Sequence, residues 1–215
     1  MTLIAWLGLA AAVVLAAVDW LAVAGDRRAL ERIAKPAFVV ALVVVVLAVE
    51  QADPTVRVIV LVALAASFVG DVLLLPPGRV AAGLASFLVA QLAYAAAFAA
   101  GTLELPWLVA GLAIALAFAV VVGRPILAAA RQTGLGPQVA AYLLAILAMA
   151  SLATGSGSPA AALGGWSFVA SDALLGWGIF VEPPSAGAPG DRRRQVAVMA
   201  TYHLAQVLLV LSLVA

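Results

Sequence analysis

The chain of 215 residues is too apolar for a soluble protein. Hydrophobic residues make up 67% of it and charged residues only 10%, and the mean hydropathy is +1.21. Soluble globular domains average about 25% charged residues, so the composition predicts an integral membrane protein. The formal net charge of +1 gives no electrostatic support for nucleic-acid binding. Because the chain has no cysteine, disulfides, thiol catalysis and thiolate metal sites are excluded.

Apolar runs between charged or Gly/Pro-rich breaks predict eight transmembrane helices. A crossing needs about 20 apolar residues, so the eight helices and their short connections fill one all-α domain over residues 1–215. The helices are expected near 3–23, 34–51, 56–75, 80–101, 105–123, 137–154, 160–181 and 195–214. The helix expected near 34–51 has the weakest pattern of the eight, and a re-entrant segment is the alternative for it. The first is interpreted as a spanning helix, not a cleaved signal, because no basic region precedes it.

The basic residues predict the orientation of these helices. Ten of the eleven fall at the odd-numbered connections, and only Arg57 falls at an even one. Since cytoplasmic connections retain Lys and Arg, both termini are expected outside the cell membrane. The ten are Arg27, Arg28, Arg32, Lys35, Arg79, Arg124, Arg131, Arg192, Arg193 and Arg194.

One internal similarity suggests a repeat. Ser-Phe-Val-Gly-Asp at 67–71 recurs as Ser-Phe-Val-Ala-Ser-Asp at 167–172, and Ala-Gln at 90–91 recurs at 205–206. Predicted helices three and four then correspond to seven and eight, which gives a parallel four-helix repeat. The alternative is a chance match between helices that share an Ala/Leu/Val-rich composition.

Three aspartates lie within predicted spans, where an ionisable group costs at least about 2.5–3.5 kcal/mol and usually has a role. Asp172 is the deepest of them. Asp71 lies one turn from the expected cytoplasmic end of its helix, where water or Arg79 would solvate it. Asp19, beside Trp20, is placed as either a site residue or an interfacial anchor.

Polar residues near these aspartates are the candidate ligand-binding positions. Ser67 is one turn before Asp71 and is expected to bond to it or to its own backbone. Lys35 is expected to approach a lipid phosphate or to snorkel to the membrane edge. His203 is the only histidine, so it cannot form a multi-His metal site; its alternative is a role in helix packing. No metal or cofactor is expected. The full set is Lys35, Ser67, Gln91, Tyr94, Ser171, Tyr202, His203 and Gln206.

Two carboxyl groups in different environments are able to act as an acid and a base, as in glycoside hydrolysis. No nucleophile elbow, zinc-protease motif or P-loop accompanies them. Within a membrane, this pair suggests lipid hydrolysis. Proton-coupled transport is the alternative, because paired acids in a repeat-containing bundle also suit a transporter.

Four segments carry a pattern that spans nearly the whole chain. They are Arg-Ile-Ala-Lys-Pro at 32–36, Ser-Phe-Val-Gly-Asp at 67–71 with Gly83, Phe87 and Tyr94, Phe-Val-Ala-Ser-Asp at 168–172, and Thr-Tyr-His-Leu-Ala-Gln at 201–206. Taken together, these segments resemble the lysoplasmalogenase (YhhN-like) family. The resemblance implies a multi-spanning hydrolase that cleaves the vinyl-ether bond of lysoplasmalogens, with Asp71 and Asp172 as its motif aspartates. Family members often carry His where this chain has Gln91, which can only form hydrogen bonds.

Vinyl-ether hydrolysis suits these residues. Protonation of the alkene carbon gives an oxocarbenium ion, which water captures as a hemiacetal that collapses to aldehyde and alcohol. We expect Asp172 to be the acid, because deeper burial suits it to proton donation, and Asp71 to activate water or stabilise the cation. The reverse assignment stays open. The expected partners are the lysophospholipid substrate and membrane lipids.

Overall fold

The computed structural model describes residues 1–50, 52–76, 78–182 and 189–214, and these ranges are all-helical apart from short connections. The α-helices are α1 (Leu3–Ala24), α2 (Arg28–Ala48), α3 (Pro54–Leu74), α4 (Val80–Ala99), α5 (Leu105–Phe118), α6 (Arg124–Gln132), α7 (Gly136–Gly155), α8 (Pro159–Gly176) and α9 (Pro189–Val214). A π-helical segment, Ala119–Gly123, joins α5 to α6, and a second, Trp177–Val181, extends α8. The described residues therefore form eight continuous helical runs, as predicted.

Six of these runs are long and apolar enough to cross a membrane. They are Leu3–Ala24, Pro54–Leu74, Val80–Ala99, Leu105–Gln132, Gly136–Gly155 and Arg192–Val214. The remaining two, α2 and α8, are more polar: α2 carries four charged residues in its first eight, and α8 contains Asp172. The chain therefore has the helices of a membrane protein, and the crossing of all eight stays a prediction.

Three predicted boundaries are wrong. The last helix begins at Pro189 and not at residue 195, so residues 192–194 are helical. The second helix begins at Arg28 and not at residue 34, so Pro36 lies inside it, while its predicted end at residue 51 lies outside the described residues. The fifth does not stop at Gly123, because the π-helical turn carries the chain past Pro125 to Gln132. Pro125 is tolerated because it lies in the first turn of α6. Arg124 and Arg131 are thus helical residues.

Small residues bring α3 and α4 together. A Cβ atom added at Gly70 would lie 2.6 Å from the Phe87 ring, and one at Gly83 would lie 2.4 Å from Leu74. A larger residue would therefore require the Phe87 ring or the Leu74 side chain to shift, and such small residues are common where membrane helices pack closely. The contact at Gly70 places the next residue, Asp71, in the interior. The α8 and α9 helices also pack as neighbours, but the proposed repeat stays a hypothesis.

Candidate active site

Asp71 and Asp172 line one cavity in the interior of the helix bundle. Every helix from α2 to α9 contributes to its wall, which is mainly apolar and includes Phe87, Phe118 and Ile146. Residues from both π-helical segments also line it. The two carboxyl groups therefore face a common space that suits an apolar ligand.

Asp71 is held by a lysine and a tyrosine. Its Oδ1 lies 3.2 Å from Lys35 Nζ, and its Oδ2 accepts a hydrogen bond of 2.7 Å from the Tyr202 hydroxyl. The side chains are only 8% exposed at Lys35 and 1% at Asp71, so this is a buried ion pair. The expectations that Arg79 or water solvates Asp71 and that Lys35 snorkels are therefore wrong. The reason is that α2 begins at Arg28, which places Lys35 two turns inside the helix and within reach of Asp71.

Asp172 is less buried than Asp71 and has a different partner, so the expectation that Asp172 is the more deeply buried of the two is wrong. The Tyr142 hydroxyl donates a hydrogen bond to its Oδ2, and Gln91 Nε2 lies 3.4 Å from the same hydroxyl as a donor. No lysine or arginine forms an ion pair with Asp172 among the residues described. Its nearest hydrogen-bonding partners are thus uncharged, in contrast to those of Asp71.

The two aspartates share one arrangement of supporting groups. Gln206 Nε2 donates a hydrogen bond of 3.2 Å to the Tyr202 hydroxyl, as Gln91 does to Tyr142. Each carboxyl group therefore accepts a hydrogen bond from a tyrosine hydroxyl, and that hydroxyl accepts one from a glutamine. Gln91 and Gln206 are the pair matched in the sequence similarity. The tyrosines are not equivalent, since Tyr202 shares a helix with its glutamine and Tyr142 does not.

A buried layer of hydrogen bonds lies behind the cavity wall. The Tyr94 hydroxyl donates to Gln206 Oε1 over 2.6 Å, and Gln206 Nε2 donates to Ser67 Oγ over 2.9 Å. Ser67 thus has Gln206 as its side-chain partner, and the expected bond to Asp71 does not form among the described residues. This network fixes the rotamer of Gln206 and, through it, the position of the Tyr202 hydroxyl.

Asp19 is fully buried, so its interpretation as an interfacial anchor is wrong. Its Oδ2 lies 3.8 Å from His203 Nε2, while Trp20 Nε1 donates a hydrogen bond of 2.9 Å to His203 Nδ1. Because Nδ1 accepts, the proton of the neutral imidazole is carried by Nε2, on the side of Asp19. Asp19, Trp20 and His203 form a second polar cluster, where α1 packs against α9.

The predicted ligand-binding residues divide into two groups. Lys35, Ser171 and Tyr202 line the cavity with the two aspartates, and Ser171 Oγ also donates to the Val198 carbonyl oxygen. The others are buried but are not part of the cavity wall, and those are Ser67, Gln91, Tyr94, His203 and Gln206. Binding of substrate by any of them stays a prediction.

Tyr142 is the site residue that sequence reasoning missed. The chain has only three tyrosines, and Tyr94 and Tyr202 were already candidates because polar residues lie near them. Tyr142 stands alone in a charge-free helix, which offered no such pattern. A polar aromatic residue in the middle of an apolar span is itself the signal, since a buried tyrosine hydroxyl needs a partner.

A family model described as the YhhN family matches residues 30–213, a range that includes both aspartates and their partners. Neither the curated proteins nor the solved structures gave a match. Within the described ranges, no three His, Cys, Asp or Glu side chains are grouped so that they could hold a metal ion. The chain belongs to the YhhN family, the family that includes lysoplasmalogenase.

Proposed function

We propose that this protein hydrolyses the vinyl-ether bond of lysoplasmalogens and releases a fatty aldehyde and glycerophosphocholine or glycerophosphoethanolamine. Membership of the YhhN family supports a hydrolase of this type. The observation that carries the proposal is the pair of carboxyl groups that face one apolar cavity with different partners. An acid and a base in unlike surroundings are what the reaction requires.

The partners favour Asp172 as the acid. Asp172 receives a hydrogen bond from a neutral tyrosine at Oδ2, which leaves Oδ1 to carry a proton toward the substrate. Asp71 is paired with the Lys35 ammonium group, so it is the carboxylate of the two and suits the acceptance of a proton from water.

The reaction then balances as follows. Asp172 gives its proton to the alkene carbon remote from the ether oxygen, and the ether-bearing carbon becomes an oxocarbenium ion. Water adds to that carbon as Asp71 takes one of its protons, which forms a hemiacetal. Collapse of the hemiacetal breaks the bond to the glycerol oxygen and gives the aldehyde, while the proton on Asp71 goes to the departing oxygen. The hemiacetal hydroxyl proton returns to Asp172.

The test compares three lysophospholipids that differ only at the first glycerol position. We expect purified protein to cleave the vinyl ether and to leave the ester and the saturated ether intact, because only the vinyl ether is activated by carbon protonation. In heavy water, aldehyde trapped as it forms should carry deuterium on the carbon next to the carbonyl.

Two results would contradict this proposal. Ester cleavage at a comparable rate would indicate a different chemistry, and early aldehyde without deuterium would exclude the protonation step. If no lipid is cleaved and substrate instead drives proton uptake into vesicles, the protein is a transporter.

A further inference from the structure

A second, more polar cavity of about 280 Å³ adjoins the aspartate cavity. Lys35, Leu74 and Met199 are among the residues that line both. Its outer wall includes Asp26 and Arg28, both exposed, at the connection between α1 and α2. A polar space thus leads from the surface of the protein to the buried Lys35–Asp71 pair, and on to the apolar cavity.

One face of α2 supplies three cationic side chains to this polar cavity. Arg28, Arg32 and Lys35 are spaced by four and three residues, which places them in a row along the helix, and all three line the cavity. The row runs from Arg28 and Arg32, which are both exposed, to the buried Lys35. Two guanidinium groups at the outer end of the cavity match an anion that enters from the surface.

Helix stability does not explain this row. Arg28 and Arg32 lie near the N-terminus of α2, where the helix dipole disfavours cations and favours anions. Arg28 has Asp26 as an ion-pair partner at 3.4 Å, but Arg32 makes no hydrogen bond or ion pair within the part of the chain that the structure describes. Glu31, in the first turn of α2, also lines the cavity and already complements the helix N-terminus, so an anion in the cavity would complement Arg32. The preference for basic residues on the cytoplasmic side is already met by Arg27, which does not line the cavity.

We propose that the polar cavity binds the phosphodiester of a lysophospholipid, with Arg32 and Arg28 as its ligands, while the hydrocarbon chain occupies the apolar cavity. This inference rests on the proposed function, because the glycerol unit that joins the two parts would lie beside Lys35 and the carboxyls. Because the two cavities share lining residues, they adjoin, and one amphipathic molecule would extend from one into the other. The ligand chemistry is therefore a phosphate monoanion attached to an apolar chain.

The experiment measures binding without turnover. The probes are a saturated-ether lysophospholipid and the matching 1-alkylglycerol, which lacks the phosphate, each titrated into purified protein. We expect Arg32→Ala to raise the Kd of the phosphate-bearing lipid roughly 10- to 100-fold, in line with the loss of a charge-assisted hydrogen bond. Arg28→Ala should act in the same direction but less, because Asp26 already shares that guanidinium. Binding of the alkylglycerol should be unchanged, which also shows that the variants are folded.

Arg27→Ala is the matched control, since it removes the same charge at the same end of α2 from a residue that does not line the cavity. If Arg27→Ala and Arg32→Ala weakened lipid binding equally, the effect would be a general electrostatic attraction between the protein and the phosphate, and the proposed site would be overturned. Equal weakening for lipid and alkylglycerol would overturn it too, because the phosphate would then not be the recognised group.

Two soluble probes distinguish the source of the phosphate. Inorganic phosphate and glycerophosphoethanolamine should displace the lipid only at far higher concentration, because neither fills the apolar cavity. If either bound as tightly as the lipid, the cavity would be a site for a soluble phosphate compound and the proposal would fall. Because no probe is hydrolysed in the proposed reaction, loss of binding and loss of the enzymatic activity are read separately.

Discussion

At the scale of single residues, the main contrast is between the partners of two carboxyl groups. Asp71 forms a buried ion pair with Lys35, whereas Asp172 accepts a hydrogen bond from the neutral Tyr142 hydroxyl and, within the described residues, forms no ion pair. Removing one member of a buried ion pair leaves the other charge uncompensated. A substitution at Asp71 therefore affects Lys35, whereas one at Asp172 affects a neutral hydrogen bond. Asparagine keeps the shape of either carboxyl and removes only its charge and its capacity to transfer protons.

Asp71→Asn and Asp172→Asn should each lower the turnover of vinyl-ether lysolipid by at least about 10²–10⁴-fold, which is the usual contribution of general acid–base catalysis. Both proteins should still insert in membranes, but Asp71→Asn should be the less stable of the two, because it leaves the Lys35 charge without its buried partner. Asp53→Asn is the matched control, because Asp53 caps α3 at an exposed position and asparagine is an equally good cap. Activity near that of the wild type in either test variant would remove that aspartate from the mechanism.

Tyr142→Phe tests the support of Asp172. The change deletes the hydroxyl that donates to Oδ2, and a hydrogen bond to a charged or reacting carboxyl contributes about 1.5–3 kcal/mol, so kcat should fall roughly tenfold to a hundredfold. Tyr94→Phe removes a hydroxyl of the same kind whose partner is Gln206 and not an aspartate. Its effect on kcat should be clearly smaller, and equal effects from the two would show that Tyr142 has no special link to the acid.

At the scale of helices, the site depends on close packing of α3 against α4. Gly70 meets the Phe87 ring directly before Asp71, so the helix separation and the position of the carboxyl are set by the same contact. The two π-helical segments also reach the cavity, through Gly123 on one side and Phe180 on the other. Such turns occur frequently at functional sites, because they redirect side chains without ending the helix.

Gly70→Ala should lower the free energy of unfolding by about 1–3 kcal/mol, the usual cost of overpacking, and should reduce activity because the Phe87 ring must shift beside Asp71. Thermal unfolding in detergent measures the first effect and the vinyl-ether assay the second. Gly101→Ala is the control, since its added Cβ would meet only the Phe98 carbonyl oxygen at 3.5 Å. A Gly70→Ala protein as stable as the control would show that α3 and α4 have room to separate.

Helix number was predictable from the sequence, whereas helix ends and cavity contacts were less so. The hydropathy pattern locates the apolar runs and so gives the number of helices. It does not locate their ends: Gly123, followed by Arg124 and Pro125, has the pattern of a helix end but lies in a π-helical turn. The two aspartates were identifiable because an intramembrane charge is costly. Their partners were not, because Tyr202 is 131 residues from Asp71 in sequence, and helix packing decides which side chains meet.

The polar cavity lies at one end of the helix bundle. It is formed where α1 ends, α2 begins and α3 ends, next to Gln195 in the first part of α9. These helix ends carry basic residues such as Arg27, Arg28 and Arg32, and the distribution of such residues predicts that this side faces the cytoplasm. The substrate would then be taken from the cytoplasmic leaflet of the cell membrane.

The chain is convenient for testing this topology, because it has no cysteine and each introduced thiol is unique. Thr102→Cys, between α4 and α5, should react with an impermeant reagent in intact cells, and so should a cysteine at either terminus, whereas Arg131→Cys should react only after the cells are opened. Thr102 and Arg131 are both exposed, so a difference between them reports sidedness and not burial. Labelling of Arg131→Cys in intact cells would show that the topology is the reverse of the predicted one. It would place the polar cavity, with Arg28 and Arg32, on the outer face, and lysolipid supplied from outside would then reach the carboxyls directly.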